Sequence, residues 1–164
     1  MPDGKRIVVN GNLPGRPGRS FLVDLGGGKP EPITPEGVRA LLPSPNGKYL
    51  VGMLPNHGLT LFPVDGGSPL PIPVPLTTPG FDVAEWSADG KALYVYQVGA
   101  PSVSVYRLDI ATGNRTLMRE LTPADRAGVV RIGPVVTNAE PHPSEFAYSY
   151  LQTLSVLYVI SGLR

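Results

Sequence analysis

Two histidines, His57 and His142, stand 85 residues apart. Imidazole is the side chain best suited to bind a metal or to shuttle a proton near neutral pH. Two ligands do not make a zinc site, however, no carboxylate cluster accompanies either histidine, and the chain has no cysteine. Both are read as solvated loop residues. Asp3, Asp24, Asp65, Asp89 and Asp109 recur one to a turn, without the dense oxygen ligands calcium requires. Gly26-Gly27-Gly28-Lys29 lacks the spacing and the Ser/Thr of a phosphate-binding loop, and Pro30 has no N–H to offer. Phosphoryl transfer would need a glycine loop, a lysine, and catalytic and metal-binding aspartates in known registers. Acyl transfer of the prolyl-peptidase kind would need a Gly-x-Ser-x-Gly elbow. None of these occurs. Asn114-Arg115-Thr116 fits a glycosylation sequon, a short and unspecific pattern. The sequence supplies no catalytic residue, no metal site and no cofactor site.

The composition narrows the partners. A net charge of +1, with 16% charged residues, lacks the basic excess by which proteins neutralise phosphates, which argues against nucleic acid. No stretch approaches the roughly 20 apolar residues of a membrane helix. The lack of cysteine excludes disulfides but leaves the redox compartment open. Glycine and proline together make 40 of the 164 residues, and they fall at fixed places between short apolar runs, as punctuation of many strands does.

Those places form a repeat. Pro2-Asp3-Gly4-Lys5-Arg6-Ile7-Val8-Val9 matches Pro45-Asn46-Gly47-Lys48-Tyr49-Leu50-Val51-Gly52, and both match Ala88-Asp89-Gly90-Lys91-Ala92-Leu93-Tyr94-Val95. The glycines at 4, 47 and 90 are spaced by 43 and 43. A second anchor keeps step: Phe21-Leu22-Val23-Asp24, Phe62-Pro63-Val64-Asp65 and Tyr106-Arg107-Leu108-Asp109, followed by glycine turns at Gly26-Gly27, Gly66-Gly67 and Thr112-Gly113. Asp-Gly and Asn-Gly supply the positive φ of tight hairpins, and the flanking runs are short and β-branched or aromatic. A period near 43 with four strands per unit predicts an all-β fold, a partial β-propeller of about three and a half to four four-stranded antiparallel blades.

Blade one covers about 1–35 and lacks its inner strand A; it has B near 6–9, C near 20–25 and D near 31–34. Blade two, about 36–78, has strands at 38–44, 49–53, 60–64 and 70–74. Blade three, about 79–121, has them at 82–87, 92–97, 103–109 and 115–120. Blade four, about 128–164, is degenerate, with strands near 130–137, 146–150 and 154–160, and Asn138 to Ser144 in place of the Asp-Gly turn. Pro69, Pro71, Pro73 and Pro75 strip donors from one edge of a strand, which an outermost strand D tolerates. Trp86 and the tyrosines at 94, 96, 148 and 150 fit packing between blades. An opening Met1-Pro2-Asp3-Gly4 turn has no strand before it, so the chain is expected to be a piece of a longer protein.

Trp86-Ser87-Ala88-Asp89-Gly90-Lys91, then Leu93-Tyr94-Val95 and Val105-Tyr106-Arg107-Leu108-Asp109, resembles the repeat of TolB-type, WD-like propellers. Residues 103–120, Thr122-Pro123-Ala124-Asp125, Tyr148-Ser149-Tyr150 and the ending Leu157-Tyr158-Val159 with Gly162-Leu163-Arg164 resemble more narrowly the C-terminal propellers of bacterial serine/threonine protein kinases. That resemblance implies a sensing or binding domain following a kinase domain and a membrane helix, hence extracytoplasmic (periplasmic); without such a helix it would be cytoplasmic.

Propellers bind where loops converge at one face. The B–C and D–A connections emerge on one side, and they are unequal and polar. Asn10 to Arg19 holds Arg16 and Arg19, Leu54 to Gly58 holds Asn56 and His57, and Leu121 to Val129 holds Asp125 and Arg126. These six are the expected contacts for an unknown protein, peptide or small ligand. Three functions fit: a non-catalytic binding or sensor module of a signalling protein, an accessory propeller of a prolyl-peptidase-like hydrolase, or a TolB-like envelope interaction protein assembled from partial propellers. An open ring exposes an apolar blade face and invites self-association.

Overall fold

The computed structural model describes residues 1–54, 58–74, 80–138 and 143–155. Thirteen strands and no helix occur among them. The first sheet, in the order β1-β2-β3, comprises β1 (Arg6–Gly11), β2 (Arg19–Asp24) and β3 (Glu31–Pro32). The second comprises β4 (Ala40–Pro43), β5 (Tyr49–Leu54), β6 (Gly58–Pro63) and β7 (Leu70–Pro71), again in chain order. The third holds β8 (Phe81–Trp86), β9 (Ala92–Gln97), β10 (Val103–Asp109) and β11 (Arg115–Leu121). β12 (Val129–Thr137) and β13 (Phe146–Gln152) pair as the fourth. All pairings are antiparallel meanders, so each sheet is built from local hairpins.

The Asx-Gly turns close by one circuit. Asn46 Oδ1 accepts from the Lys48 N–H (3.0 Å) and the Ser44 hydroxyl (2.8 Å), while Ser44 Oγ accepts from the Tyr49 N–H (3.0 Å). Asp89 and Ser87 repeat it, with Lys91 N–H at 3.0 Å, Ser87 Oγ at 2.6 Å and the Ala92 N–H on Ser87 Oγ at 2.9 Å. Gly47 and Gly90 take φ of +69° and +68°, which a side chain would strain. In the first repeat Met1 stands where the serine would be. There Asp3 takes both amides, Lys5 N–H at 2.9 Å and Arg6 N–H at 3.1 Å, and its other oxygen pairs with Arg6 Nε at 2.6 Å.

Three apolar seams hold the sheets face to face. Leu22, Val38, Leu50 and Phe62 fill the first, between sheets one and two. Val51, Leu59, Leu61, Trp86, Leu93 and Val95 fill the second. Tyr94, Tyr96, Val105, Ile132 and Val135 fill the third. Side chains alternate along a strand, so β5 sends Leu50 to one seam and Val51 to the next, and β9 sends Leu93 and Val95 one way and Tyr94 and Tyr96 the other. Val83 and Trp86 share a seam despite their odd spacing, because a bulge between Val83 and Glu85 shifts the register. Tyr148 packs against the third seam as expected, whereas Tyr150 is 47% exposed and touches only the rim through the Tyr148 ring.

The outer strands of the first two sheets are shorter than the sequence suggests. β7 is two residues long where 70–74 were expected, and β3 two where 31–34 were. The reason is proline. The N–H of Ile72 donates to Leu59 O (2.9 Å), as the alternating prolines require, but Val74 N–H turns back onto Ile72 O (2.7 Å) and ends the pairing. Both β3 and β7 lie at the edge of their sheets. Gly113, at φ +74°, lets the turn after β10 sit against the Pro73 carbonyl, a place a Cβ would occupy. Leu154, expected to open a strand, lies outside β13, and 156–164 fall outside the described residues, as do 139–142 with His142.

Ser87→Ala removes the acceptor of a buried N–H and should cost about 1–3 kcal/mol in urea denaturation. The hydrogen bonds to Asp3 hold its carboxyl down to about 2, chiefly through the Lys5 N–H and then Arg6. The Ser87 hydroxyl and Lys91 N–H lower Asp89, and the Thr112 hydroxyl and N–H lower Asp109. Folded carboxyls that titrate below the ordinary 3.8 give stability that is complete above that pH and lost as pH falls toward about 2. The urea midpoint should therefore drop across that window, and Asp3→Asn should flatten the drop.

Candidate functional site

Among the described residues, the loop side of the first seam carries a buried polar network. Ser20, in β2, is fully buried, and its Oγ donates to Asn10 Oδ1 (2.5 Å) while accepting from the Ala40 N–H (2.7 Å). Asn10 Nδ2 in turn donates to Ala40 O (3.1 Å). The Ser20 N–H donates to Thr34 Oγ1 (2.8 Å), and that hydroxyl donates to Val38 O (2.6 Å). These bonds join β1, β2, the connection from β3 and the start of β4 into one satisfied polar network, which is what lets such groups be buried.

The network fixes two loops side by side. Gly37 N–H donates to Gly18 O (2.7 Å), bringing the connection from β3 to β4 against the connection from β1 to β2. Three arginines gather there. Arg16 Nη1 meets Glu36 Oε1 at 3.1 Å, with both side chains largely solvated. Arg39 lies over Gly18: a Cβ on that glycine would stand 3.1 Å from Arg39 Nη2 and 2.7 Å from Asn12 Oδ1. Arg19 is not a loop residue but opens β2, and its Nη2 donates to Thr34 O. Its Nε is buried without a partner. Glu36 is ion-paired with Arg16, whereas Arg19 and Arg39 form no ion pair among the described residues.

Arg19 also reaches the wall of a cavity of about 620 Å³ between the outer parts of sheets one and two. Leu22, Pro32, Ile33 and Phe62 give it an apolar lining, and Arg6, Glu31 and Asp65 join Arg19 as its charged residues.

Of the six residues expected from the sequence, Arg16 and Arg19 come together in this seam, and Arg39 joins them. Arg39 carries no signal of its own in the sequence; the Gly37–Gly18 bond and its own reach to Asn12 Oδ1 (3.5 Å) bring it beside the connection that holds Arg16. Asp125 and Arg126 lie elsewhere, in the connection from β11 to β12. Asp125 Oδ1 accepts from the Ala127 N–H (2.9 Å), a turn role, and Arg126 Nη2 reaches Thr122 Oγ1 at 3.4 Å. Asn56 and His57 lie outside the described residues. Burial pushes the Tyr94 and Tyr96 phenols up, and Tyr96 donates to Asp82 Oδ2 (3.3 Å). Among the described residues no group of three or more His, Asp or Glu could hold a metal ion.

A comparison with protein-family models finds no match, and no curated protein matches the sequence. Solved structures do match. TolB from Acinetobacter baumannii aligns with 79% of this chain and 33% of its own, at 19% identity and a TM-score of 0.54. A putative TolB from Agrobacterium tumefaciens aligns with 74% of this chain and 48% of its own, at 19% identity and 0.57. An oligogalacturonate lyase from Vibrio parahaemolyticus aligns with 96% of this chain and 45% of its own, at 12% identity and 0.65. The chain is a partial β-propeller. It spans a third to about half the length of the structures it matches. At these identities the likeness is one of fold.

Ser20→Ala leaves the Ala40 N–H unsatisfied and should cost about 1–3 kcal/mol. Arg16→Ala, whose ion pair is solvated, should change stability by less than about 0.5 kcal/mol. Urea denaturation of both variants distinguishes the anchoring network from the arginines it carries.

Proposed function

We propose that this chain is a non-catalytic interaction module that binds an acidic segment of a protein or peptide at the first seam. The observation that carries the reading is the set Arg16, Arg19 and Arg39, gathered where the Gly37–Gly18 bond joins two connections, with an ion pair at Arg16 alone among the described residues. Guanidinium groups form charge-assisted, often bidentate bonds with carboxylates, and exposed ones steer an acidic partner from a distance. The fold similarity to TolB structures supports an envelope-type interaction propeller. The resemblance of residues 86–164 to kinase C-terminal propellers supports a place in a larger signalling protein, extracytoplasmic when a membrane helix precedes it. The reading frame upstream of the chain decides that part.

Short acidic, neutral and basic peptides, titrated by calorimetry, test the reading. The acidic peptide alone should bind, weakening as salt rises, because screening acts on solvated charges. Arg16→Ala combined with Arg39→Ala should weaken it at least about tenfold, equivalent to about 1.4 kcal/mol, with an unchanged melting temperature. Equal binding of all three peptides would contradict the site. Turnover of oligogalacturonate or phosphotransfer by the purified chain would contradict a purely binding role.

A further inference from the structure

The second seam is closed at its outer end by the chain itself. Pro32 faces Phe21 and Pro71 faces Thr60, so Thr34 and Pro73 stand at corresponding places after β3 and β7. The Pro73 carbonyl sits where a Cβ on Gly113 would stand, in the turn after β10, and Val74 packs on the apolar cluster of that seam. The first seam lacks this closure. A Cβ on Gly66, in the turn after β6, would meet no described atom within 4 Å, and one on Gly67 only Pro63 Cγ at 3.9 Å. The cavity of about 620 Å³ lies there, with Thr34, Pro35, Gly66 and Gly67 in its wall.

The two ends of this cavity differ in charge. β1 and β2 pair Gly11 with Arg19 at one end and Arg6 with Asp24 at the other. Arg19 thus stands at the loop end, its Nη2 on Thr34 O and without an ion pair among the described residues. At the turn end Arg6 is held by Asp3, and Asp65 adds a carboxylate; Glu31, opposite Leu22, is the remaining acid. Leu22, Ile33, Phe62 and Val64 supply the apolar wall. The loop end runs straight into the arginine cluster. Thr34 and Pro35 line the cavity, Glu36 pairs with Arg16, and Gly37 bonds to Gly18. Neighbouring Cα atoms are about 3.8 Å apart, so one short segment of a partner reaches both.

We propose, on the strength of the acidic-segment reading, that the partner's segment carries a bulky apolar residue beside its carboxylates, and that this residue fills the cavity of the first seam. The carboxylates then lie at Arg19 and Arg16. An uncharged or basic residue lies toward Glu31 and Asp65, where a further acid would be repelled. A cavity of about 300–1,000 Å³ with apolar walls and a few polar groups is the usual form of a specific site. Strand addition is not the mode of binding, because Ile33 N–H donates inward to Ser20 O and the alternate, outward positions belong to Pro30 and Pro32. Side chains therefore carry the recognition.

The peptides Gly-Asp-Glu-Asp-Leu-Gly and Gly-Leu-Asp-Glu-Asp-Gly, titrated by calorimetry, test this. Replacing leucine by alanine in the tighter of the two should weaken binding at least about tenfold. Ile33→Trp, which fills the cavity, should bring the leucine peptide down to the affinity of the alanine peptide and leave the latter unchanged. In the unaltered chain, the leucine peptide should move the methyl NMR signals of Leu22, Ile33 and Val64, and the alanine peptide should not. Equal affinities for leucine and alanine peptides, or methyl signals that stay in place, would overturn the proposal and leave the arginine reading standing. Failure of every acidic peptide to bind would remove both. Octanoate bound as tightly as the leucine peptide would also contradict the proposal, since the cavity would then serve a free carboxylate.

Discussion

A sheet with apolar residues on both faces has to be covered twice, and the structure follows from meeting that demand. β5 and β9 carry the burden, because each feeds two seams from one strand by simple alternation. Leu50, Val51, Leu93 and Tyr94 are all inaccessible to water, and burying each such side chain is worth about 1.5–3 kcal/mol. No sheet here could stand alone, since a lone sheet would leave half of that surface wet. The polar groups that lie in the seams, Ser20, Thr34, Ser44 and Ser87, are tolerated because each is bonded to a main-chain group.

The same constraint separates structure from recognition. Turns on one side are locked by Asx and serine circuits, with their carboxylates committed to main-chain N–H groups. On the other side the first seam lifts charged side chains into solvent on loops that the buried network holds still. A rigid scaffold carrying polar loops is a common way for a fold to acquire a binding surface.

Much of the fold was legible because the chemistry of its turns is local. Asn46 and Asp89 at one spacing, with glycine after each, need only the hairpin to explain them, and the strands beside them were found within a residue or two. Serines two positions before Asn46 and Asp89 carry the same signal, which Met1 interrupts in the first repeat. What could not be read was long-range. The bulge between Val83 and Glu85 leaves no mark in the residue pattern, and Arg39 joins Arg16 through long-range contacts, Gly37 with Gly18 and its own guanidinium with Asn12. The alternating prolines predict a strand through Pro73, whereas the chain turns off after Ile72 to meet Gly113.

If the two doubly covered strands hold the molecule together, they should also be the last to open, because amide protection grows with the free energy of the opening that exposes it. Native-state hydrogen exchange measures this residue by residue. The account predicts the slowest exchange in β5 and β9, with the β3 and β7 edges exchanging fastest among the strands. Protection in β5 and β9 no greater than at those edges would contradict it.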